Sequence, residues 1–468
     1  MLFSSVTFIF LFLPLVLAVY HLVPEKFRNG VLLAASLLFY GWGEPKYLLV
    51  LFAVITINYF GAIIIDRNRE NGKLWLAAGI CCNLAVLIYF KYTNFILENI
   101  NALFRSNADM IHVVMPIGIS FYIFQSMSYL IDVYRRDCNL QKNFFNLTLY
   151  VTLFPQMIAG PIVKYHDVES QILCRRSSVP EFAEGLRRFI MGLAKKVLIA
   201  NSAGVVVEKI FVLSPSLLPV PCLWLGALAY TLQLYFDFSG YSDMAIGLGR
   251  MFGFRFLENF NYPYISKSIT EFWRRWHISL STWFKEYLYI SLGGNRCGAL
   301  RTYGNLFVVF VATGIWHGAS WNFIFWGLWH GFFIILEKFF NWHKREKGLF
   351  LSFVSHVYTI LVFMIGWVMF RADTMTYAWN YLLRMFNWSA KSGGTYTLSY
   401  FLSPAEIVIM VIGILCSMPL FSKLVLRRES IPGKIMNVAV DLWLLLIFVL
   451  SVASIANASF NPFIYFRF

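Results

Sequence analysis

The segments that decide the fold of this chain read FWRRWHISLSTWFKEY at residues 272–287 and TGIWHGASWNFIFWGLWHG at residues 313–331. They set three histidines among tryptophan, phenylalanine and glycine: His277, His317 and His330. Both segments are apolar enough to lie within a bilayer, where ionisable groups are costly and usually face a cavity. We therefore expect the histidines and the adjacent Arg274 and Arg275 to serve chemistry rather than anchoring.

The composition of the chain is that of an integral membrane protein. Of its 468 residues, 59% are hydrophobic and 13% are charged, whereas soluble domains are about 45–50% apolar and about 25% charged. Many apolar runs approach the length of a membrane-crossing helix, and their length and periodicity favour helices over barrel strands. We predict an all-α, polytopic membrane protein of one domain, residues 1–468, with about ten to twelve spans and some re-entrant or interfacial helices. The candidate spans are residues 3–22, 30–42, 46–65, 74–90, 111–133, 145–160, 222–249, 303–316, 319–340, 351–370, 403–421 and 437–457.

Basic clusters indicate the orientation of the chain, because cytoplasmic loops are enriched in lysine and arginine. Clusters follow the third and fifth runs and the runs at 319–340 and 403–421: Arg67, Arg69, Lys73, Arg135, Arg136, Lys344, Arg345, Lys347, Lys423, Arg427, Arg428 and Lys434. We expect the N-terminus outside and the loops 341–350 and 422–435 inside. The same bias accounts for most of the net charge of +15. Since no basic patch lies on a soluble domain, nucleic acid is not an expected partner.

The seven cysteines are scattered, mostly in or beside apolar runs, and form no CxxC pair, haem-attachment motif or zinc spacing. We interpret them as small buried hydrophobic residues. Without an HExxH motif or a cysteine cluster, the sequence predicts no metal site.

The segment LFPQMIAGPIVKY, residues 153–165, carries Pro155 and the pair Gly160-Pro161. These residues should break a helix within or just beneath the membrane. Broken backbone at that depth is tolerated where protein or a water-filled cavity surrounds it. The segment is therefore either the wall of a cavity or a plain kink.

The run LYFDFSGYSDMAIGLG, residues 234–249, places Asp237 and Asp243 in apolar surroundings. On one helix their spacing puts them about 120° apart. The two carboxylates are either an acid and a base, or the partners of Arg274 or Arg275 in a buried ion pair. We favour the ion pair.

The segment around His277 predicts an amphipathic helix from about Thr270. Ser268 and Glu271 have the spacing of a capping box. One stripe of the predicted helix carries Trp273, His277, Leu280 and Phe284. Arg274 and Ser281 flank His277, whereas Arg275 and Lys285 lie elsewhere on the surface, where they suit phosphate or lipid headgroups. From these residues alone, an interfacial helix with aromatic anchors explains the segment equally well.

The segment 313–331 is rich in glycine, which allows close approach of a neighbouring helix or a ligand. Because burial disfavours the charged imidazolium, we expect His317 to be neutral. A neutral imidazole beside a hydroxyl is a suitable general base, a role worth about 10²–10⁴ in rate. His330 lies about 20 Å further along an unbroken helix and roughly 140° around it. Unless the helix breaks, His330 cannot share a site with His317, and we interpret it as a supporting core residue.

Together these segments resemble the membrane-bound O-acyltransferase family, and within it the bacterial branch typified by alginate O-acetyltransferase. The resemblance rests on FWRRWHISLSTWFKEYLYISLGGNR, TGIWHGASWNFIFWGLWHG, LFPQMIAGPI, DFSGYSD and the opening FSSVTFIFLFLPLVLAVYHLVP, and so covers nearly the whole chain. It implies a ring of transmembrane helices around a thinned centre, where a tunnel joins the two faces of the membrane. It also implies an O-acetyltransferase of the bacterial inner membrane, with no bound cofactor and with acetyl-CoA as the cytoplasmic donor.

The resemblance assigns roles to individual residues. His317 would be the defining histidine of the family, and His277 would take the second position, which is held by an asparagine in eukaryotic relatives. We expect His317 to take the proton of an acceptor hydroxyl that attacks the acetyl carbonyl, while His277 donates to or orients a reacting group. The residues expected along the substrate passage are Trp273, Trp316, Trp321, Asn322, Asp237 and Asp243, with Arg274, Arg275 and Lys285 at the phosphates of the donor.

The acceptor is expected on the outer side of the membrane. It is a hydroxyl of an exported polysaccharide or a serine of a periplasmic partner protein, within an assembly for export and modification. One alternative is a D-alanyl transferase that uses a carrier protein and modifies teichoic acid. Others are a non-enzymatic polysaccharide or lipid transporter and a b-type haem protein, although the lack of an internal repeat weakens transport.

Overall fold

The computed structural model describes residues 1–106, 109, 111, 113–158, 160–342, 348–389, 392–420 and 434–457, with side chains from residue 438 in the last stretch. Within these residues the chain is helical and contains no strand, which confirms the all-α prediction. In chain order, α1 to α21 are Leu13–Leu22, Arg28–Gly41, Leu48–Arg67, Gly72–Leu87, Thr93–Phe104, Ile119–Arg135, Phe144–Thr152, Phe154–Met157, Tyr165–Leu173, Val179–Ala194, Asn201–Phe211, Val220–Met251, Ile269–Arg275, Ile278–Trp283, Ala299–His317, Trp321–Phe339, Leu349–Arg371, Met375–Phe386, Leu398–Phe401, Pro404–Cys416 and Lys434–Asn457. Wider π-helical turns adjoin some of these helices at Phe8–Phe12, Ile88–Tyr92, Lys195–Ala200 and Phe284–Tyr289.

Several helices are long and apolar enough to cross a membrane, as expected for a polytopic protein. Among the described residues, five satisfy both conditions: Pro45–Arg67, Arg69–Phe104, Val179–Phe211, Leu349–Arg371 and Val438–Asn457. Shorter apolar helices lie at Phe8–Leu22 and Pro404–Cys416. The apolar pattern predicts no span over Val179–Phe211, and this prediction is wrong. Its first turns carry charges that dilute the apolar signal, although the rest of the helix is long and apolar.

The basic clusters after the runs at 319–340 and 403–421, on which the orientation of the loops depends, lie outside the described residues, except that the backbone of Lys434 is described. The cysteines are only partly as predicted. All seven are free, and Cys222 is buried, but four are exposed on the chain: Cys81, Cys82, Cys174 and Cys297.

The chain divides into two compact units, and the division falls within helices α10 and α12. Unit 1 comprises Met1–Phe189 and Tyr241–Glu258. Its centre is α6, which is buried from Ile119 to Val133 and packs against α3 and α4. The predicted helix break is confirmed in this unit, since α7 ends at Thr152, the single turn α8 follows, and residues 160–164 before α9 are not helical.

Unit 2 comprises Ile190–Gly240 and Asn259–Phe468. Its most extensive helix pair is the hairpin of α15 and α16. Gly314 and Gly327 lie at the crossing, where an added Cβ on either would collide with backbone of the other helix, at Phe323 and Phe310 respectively. This confirms the predicted close approach of helices at these glycines. The hairpin turns between His317 and Trp321, so the segment 313–331 is two helices rather than one.

Candidate active site

The site is built around a break in the helical segment that carries His277. Helix α13 ends at Arg275, and His277 adopts the left-handed conformation, with φ 45° and ψ 55°, before α14 begins at Ile278. The preceding loop supplies the missing backbone partners. Asn261 N donates to Arg275 O at 2.9 Å, and Ile278 N donates to Asn259 O at 2.9 Å. The prediction of one continuous amphipathic helix is therefore wrong, because the loop bonds replace the helical ones at this point.

His277 is held in one orientation by Asn259. The imidazole is 1% exposed, and its Nδ1 lies 3.2 Å from Asn259 Oδ1. The same amide oxygen accepts from Ser279 N at 3.1 Å and from Ser279 Oγ at 2.9 Å. Because an amide oxygen only accepts, Nδ1 carries the proton and Nε2 is left as an acceptor. Burial lowers the pKa of His277 to about 3, so the ring is neutral at physiological pH.

His317 ends α15 and faces aromatic rings. Its ring centroid lies 4.9 Å from that of Trp326 and 5.2 Å from that of Phe370, both edge to face. Trp316 lies 5.0 Å from His317 and 6.3 Å from His277, measured between ring centroids. The structure therefore brings the two predicted catalytic histidines to a common neighbour, Trp316.

His330 lies closer to His317 than the sequence analysis expects. Its ring is fully buried and lies 5.1 Å from Trp326, which also contacts His317. The predicted separation of about 20 Å between His317 and His330 holds only for an unbroken helix. The chain turns before Trp321, so the separation does not apply. Gly366 makes room for His330, since an added Cβ there would lie 2.7 Å from Nε2. The supporting role of His330 stays a prediction.

Three other predicted site residues differ in exposure: Trp273 and Asn322 are buried, and Trp321 is exposed. Trp273, on α13, is buried and lies 5.2 Å from His330 and 5.6 Å from Trp326 between ring centroids. Asn322 is buried near the start of α16, and its amide donates to Ala372 O. Trp321 is different, because it is 51% exposed and pairs with Phe325. The structure thus places Trp273 in the histidine cluster and gives Asn322 a helix-bracing contact.

The three basic residues predicted to bind the donor phosphates also differ in exposure. Arg274 and Lys285 are exposed. Arg275 pairs with Glu271, with Nε 2.9 Å from Oε1, and donates to Asn261 O at 3.2 Å. Arg275 is therefore bound to its own segment, whereas the charges of Arg274 and Lys285 are presented at the surface.

The two aspartates form ion pairs, as we favoured, but with other cations. In unit 2, Asp237 Oδ1 lies 2.6 Å from Lys196 Nζ, and both side chains are buried. In unit 1, Asp243 Oδ1 lies 2.9 Å from an Arg188 nitrogen. The prediction that Arg274 or Arg275 is the partner is wrong, because both cations come from α10 and the π-helical turn that follows it.

The residues that build this cluster fall within a stretch that identifies the chain. Residues 135–377 match the sequence model of MBOAT, the membrane-bound O-acyltransferase family. The chain belongs to the membrane-bound O-acyltransferase family. It is therefore an O-acyltransferase with a multi-pass membrane fold.

Known members of the family are similar in sequence to this chain over most of its length. The probable alginate O-acetylase of Azotobacter vinelandii is 42% identical over 100% of both chains. The peptidoglycan O-acetyltransferase of Helicobacter pylori is 38% identical over 82% of this chain and 80% of its own. The teichoic acid D-alanyltransferase of Bacillus subtilis is 29% identical over 64% of this chain and 78% of its own.

Two polar residues of this candidate site were not predicted from the sequence, Asn259 and Glu337. Asn259 fixes His277, and Glu337, buried on α16, binds the start of α13. Asn259 left a weak signal, since it opens the polar start of an otherwise aromatic segment. Glu337 left none, because its partners lie 68 and 67 positions away.

The predicted capping box is confirmed in one half only. Ser268 Oγ accepts from Glu271 N at 3.0 Å, but the Glu271 carboxylate accepts from Lys267 N rather than from Ser268 N. Among the described residues, no group of three or more histidine, cysteine or acidic side chains is arranged to hold a metal ion.

Proposed function

We propose that this family member transfers an acetyl group from a cytoplasmic thioester, acetyl-CoA, to a hydroxyl on the outer side of the membrane. The acceptor is an exported polysaccharide, directly or through a serine of a periplasmic partner protein. Two relatives that match most of the chain are named for acetyl transfer to a carbohydrate polymer, an alginate and a peptidoglycan. This agreement over 82% or more of the chain supports acetyl rather than D-alanyl as the group transferred.

The observation that carries the proposal is the shared neighbourhood of His317 and His277 at Trp316. His317 accepts the proton of the acceptor hydroxyl while the hydroxyl oxygen forms a bond to the acetyl carbonyl carbon. The carbon–sulfur bond then breaks, and the departing thiolate takes the proton from the His317 imidazolium. General-base assistance of this kind is worth about 10²–10⁴ in rate.

Of the two roles predicted for His277, donating to a reacting group or orienting it, we propose only the second. With Nδ1–H directed to Asn259 Oδ1, the neutral ring offers only an acceptor at Nε2. It therefore orients a hydroxyl by accepting its hydrogen bond, and does not act as a proton donor. The amide of Asn259 sets this state before substrate arrives.

The donor phosphates are assigned to the exposed cations Arg274 and Lys285. Arg275 instead stabilises α13 through Glu271. Of the proposed passage residues, Trp273 and Trp316 keep their places in the cluster around the histidines. We further propose an inner-membrane location with the N-terminus outside.

The test is His317→Ala, with His330→Ala as its matched comparison on the same hairpin. Membranes containing each variant at equal folded amounts are supplied with radiolabelled acetyl-CoA, and acetyl transferred to the exported glycan is measured. We expect His317→Ala to lose about 10²-fold or more and His330→Ala to lose less. Near-normal transfer by a folded His317→Ala protein contradicts the assignment. A preparation that carries a small acidic carrier protein instead of CoA supports the D-alanyl alternative.

A further inference from the structure

Glu337 is a buried carboxylate that binds the first turn of α13 from another helix. It lies on α16 and is 3% exposed. Its Oε1 accepts from Ile269 N at 2.5 Å, and its Oε2 accepts from Thr270 N at 2.9 Å and from Thr270 Oγ1 at 2.7 Å. Tyr358 is a further hydrogen-bonding neighbour of the same carboxylate.

These bonds complete the N-terminal end of α13. A helix begins with backbone N–H groups that have no partner inside the helix. In α13, Glu337 accepts hydrogen bonds from the first two of these N–H groups. Ser268 Oγ accepts from the third, Glu271 N, at 3.0 Å. A buried carboxylate is costly unless hydrogen bonds compensate it, and the positive end of the helix favours the negative charge. The carboxylate and the helix end therefore stabilise each other.

The opposite end of α13 leads directly into the catalytic cluster. Arg275 O accepts from Asn261 N, and the chain then turns left-handed at His277. A helix of 7 residues has little stability of its own. Its place is set by its two ends, and Glu337 holds the end that is remote from His277.

The face of α16 that carries Glu337 also supports the middle of α13. His330 and Trp326 lie 5.2 Å and 5.6 Å from Trp273, measured between ring centroids. Glu337 follows His330 by seven positions, which is about two helical turns. One face of α16 thus supplies both the aromatic contact and the polar anchor of α13.

We propose that Glu337 is a positioning residue for acyl transfer. Its carboxylate fixes the start of α13 relative to α16 and thereby the places of Trp273 and His277, without touching substrate. This inference rests on the proposed function for its activity readout. Displacement of α13 misplaces the catalytic cluster and also moves Arg274, whereas Lys285 lies beyond α13. The expected signature is therefore a large fall in kcat with a smaller rise in the donor KM.

The experiment compares Glu337→Gln with Glu406→Gln in the full-length protein. Glu406 is the matched control, because its carboxylate also accepts from a backbone N–H at a helix start, Ser403 N at 2.6 Å, and pairs with Lys209 at 3.3 Å. It caps α20, away from α13 in the chain. We expect Glu337→Gln to lower kcat about tenfold or more, since small misplacements of reacting groups cost up to about 10²-fold. The donor KM should stay within about threefold, and Glu406→Gln should keep both constants within about twofold.

A second readout does not depend on catalysis. Hydrogen exchange of peptides covering Ile269–Arg275 should become faster in Glu337→Gln and stay unchanged in Glu406→Gln. Equal kcat and equal exchange in the two variants overturn the role of Glu337. If His317→Ala retains wild-type transfer, the proposed function fails instead, and the exchange result still decides whether Glu337 holds α13.

A milder variant covers the case in which Glu337→Gln does not fold. Thr270→Val removes only the Thr270 Oγ1 bond and keeps both backbone bonds. It should lower kcat about two- to fivefold, on the scale of one neutral hydrogen bond, with a smaller change in donor KM. Full activity of folded Thr270→Val together with unchanged exchange of α13 contradicts the proposal.

Discussion

The two regions of unit 2 that present the proposed catalytic histidines, His317 and His277, are held by different forces. The hairpin that ends in His317 is packed backbone against backbone through Gly314 and Gly327. The segment that carries His277 is held by polar bonds, to Asn259 on one side and to Glu337 on the other. His317 is positioned by close helix packing at glycines, which have no side chain. His277 is positioned by side chains that are distant in sequence. The two regions should therefore respond to different kinds of substitution.

The largest effect is expected from a change of size at the hairpin. Gly314→Val should lower the free energy of unfolding by about 2–3 kcal/mol, because a side chain there overpacks the helix crossing. Gly304→Val is the control, since nothing lies within 4 Å of a Cβ added at this position of the same helix. Thermal unfolding in detergent measures both. If the two variants unfold at the same temperature, the hairpin is not held by close packing.

The next effect is expected from loss of the amide that fixes His277. Asn259→Ala should lower kcat about tenfold, equivalent to about 1.4 kcal/mol of activation free energy, because the imidazole is no longer restricted to one tautomer. Asn261→Ala is the control, since its side chain is exposed and its bonds to Arg275 use backbone atoms. Acetyl transfer at saturating donor measures both. Comparable kcat values in the two variants argue against the assigned tautomer.

A third comparison concerns pH and separates His277 from His166, a histidine of unit 1. Hydrogen bonds to Asp132 and then Asp167 raise the pKa of His166 to about 10, whereas burial lowers that of His277 to about 3. The stabilising charge of His166 is fully present below about pH 6.5 and is lost as pH rises towards 10. The stability that comes from neutral His277 is present above about pH 6.5 and is lost as pH falls towards 3.

The measurement is the unfolding temperature of the protein in detergent from pH 4 to pH 10. Each limb should change by at most about 1.4 kcal/mol per pH unit, and less for His166, which is partly exposed to solvent. His166→Gln should flatten the alkaline limb only, and His277→Asn the acid limb only. A His166→Gln protein with an unchanged alkaline limb refutes the charged state of that histidine.

The features that the sequence predicts correctly are local ones. Pro155 and the pair Gly160-Pro161 break the helix in unit 1 because proline cannot continue it. The glycines of the hairpin likewise signal close approach by their spacing alone. In both cases the cause and the effect lie within a few residues.

The features that the sequence does not predict depend on distant partners. The break before His277 is completed by Asn259, which lies 18 positions earlier. The cation for Asp237 is Lys196, on a helix that the apolar pattern does not identify as a span. Arg274 and Arg275, the predicted partners, are nearer to Asp237 in sequence than Lys196 is. Periodicity along one segment carries no information on such pairings.

The left-handed backbone at His277 limits which amino acids can replace it during evolution. At φ 45° a β-branched or bulky residue is strained, whereas asparagine, aspartate and histidine are several-fold enriched in this conformation. Within that small set, only histidine and asparagine offer a neutral side chain with both a donor and an acceptor. Substitution at this position is therefore restricted by main-chain geometry before any selection on chemistry, and asparagine is the exchange with the smallest conformational penalty.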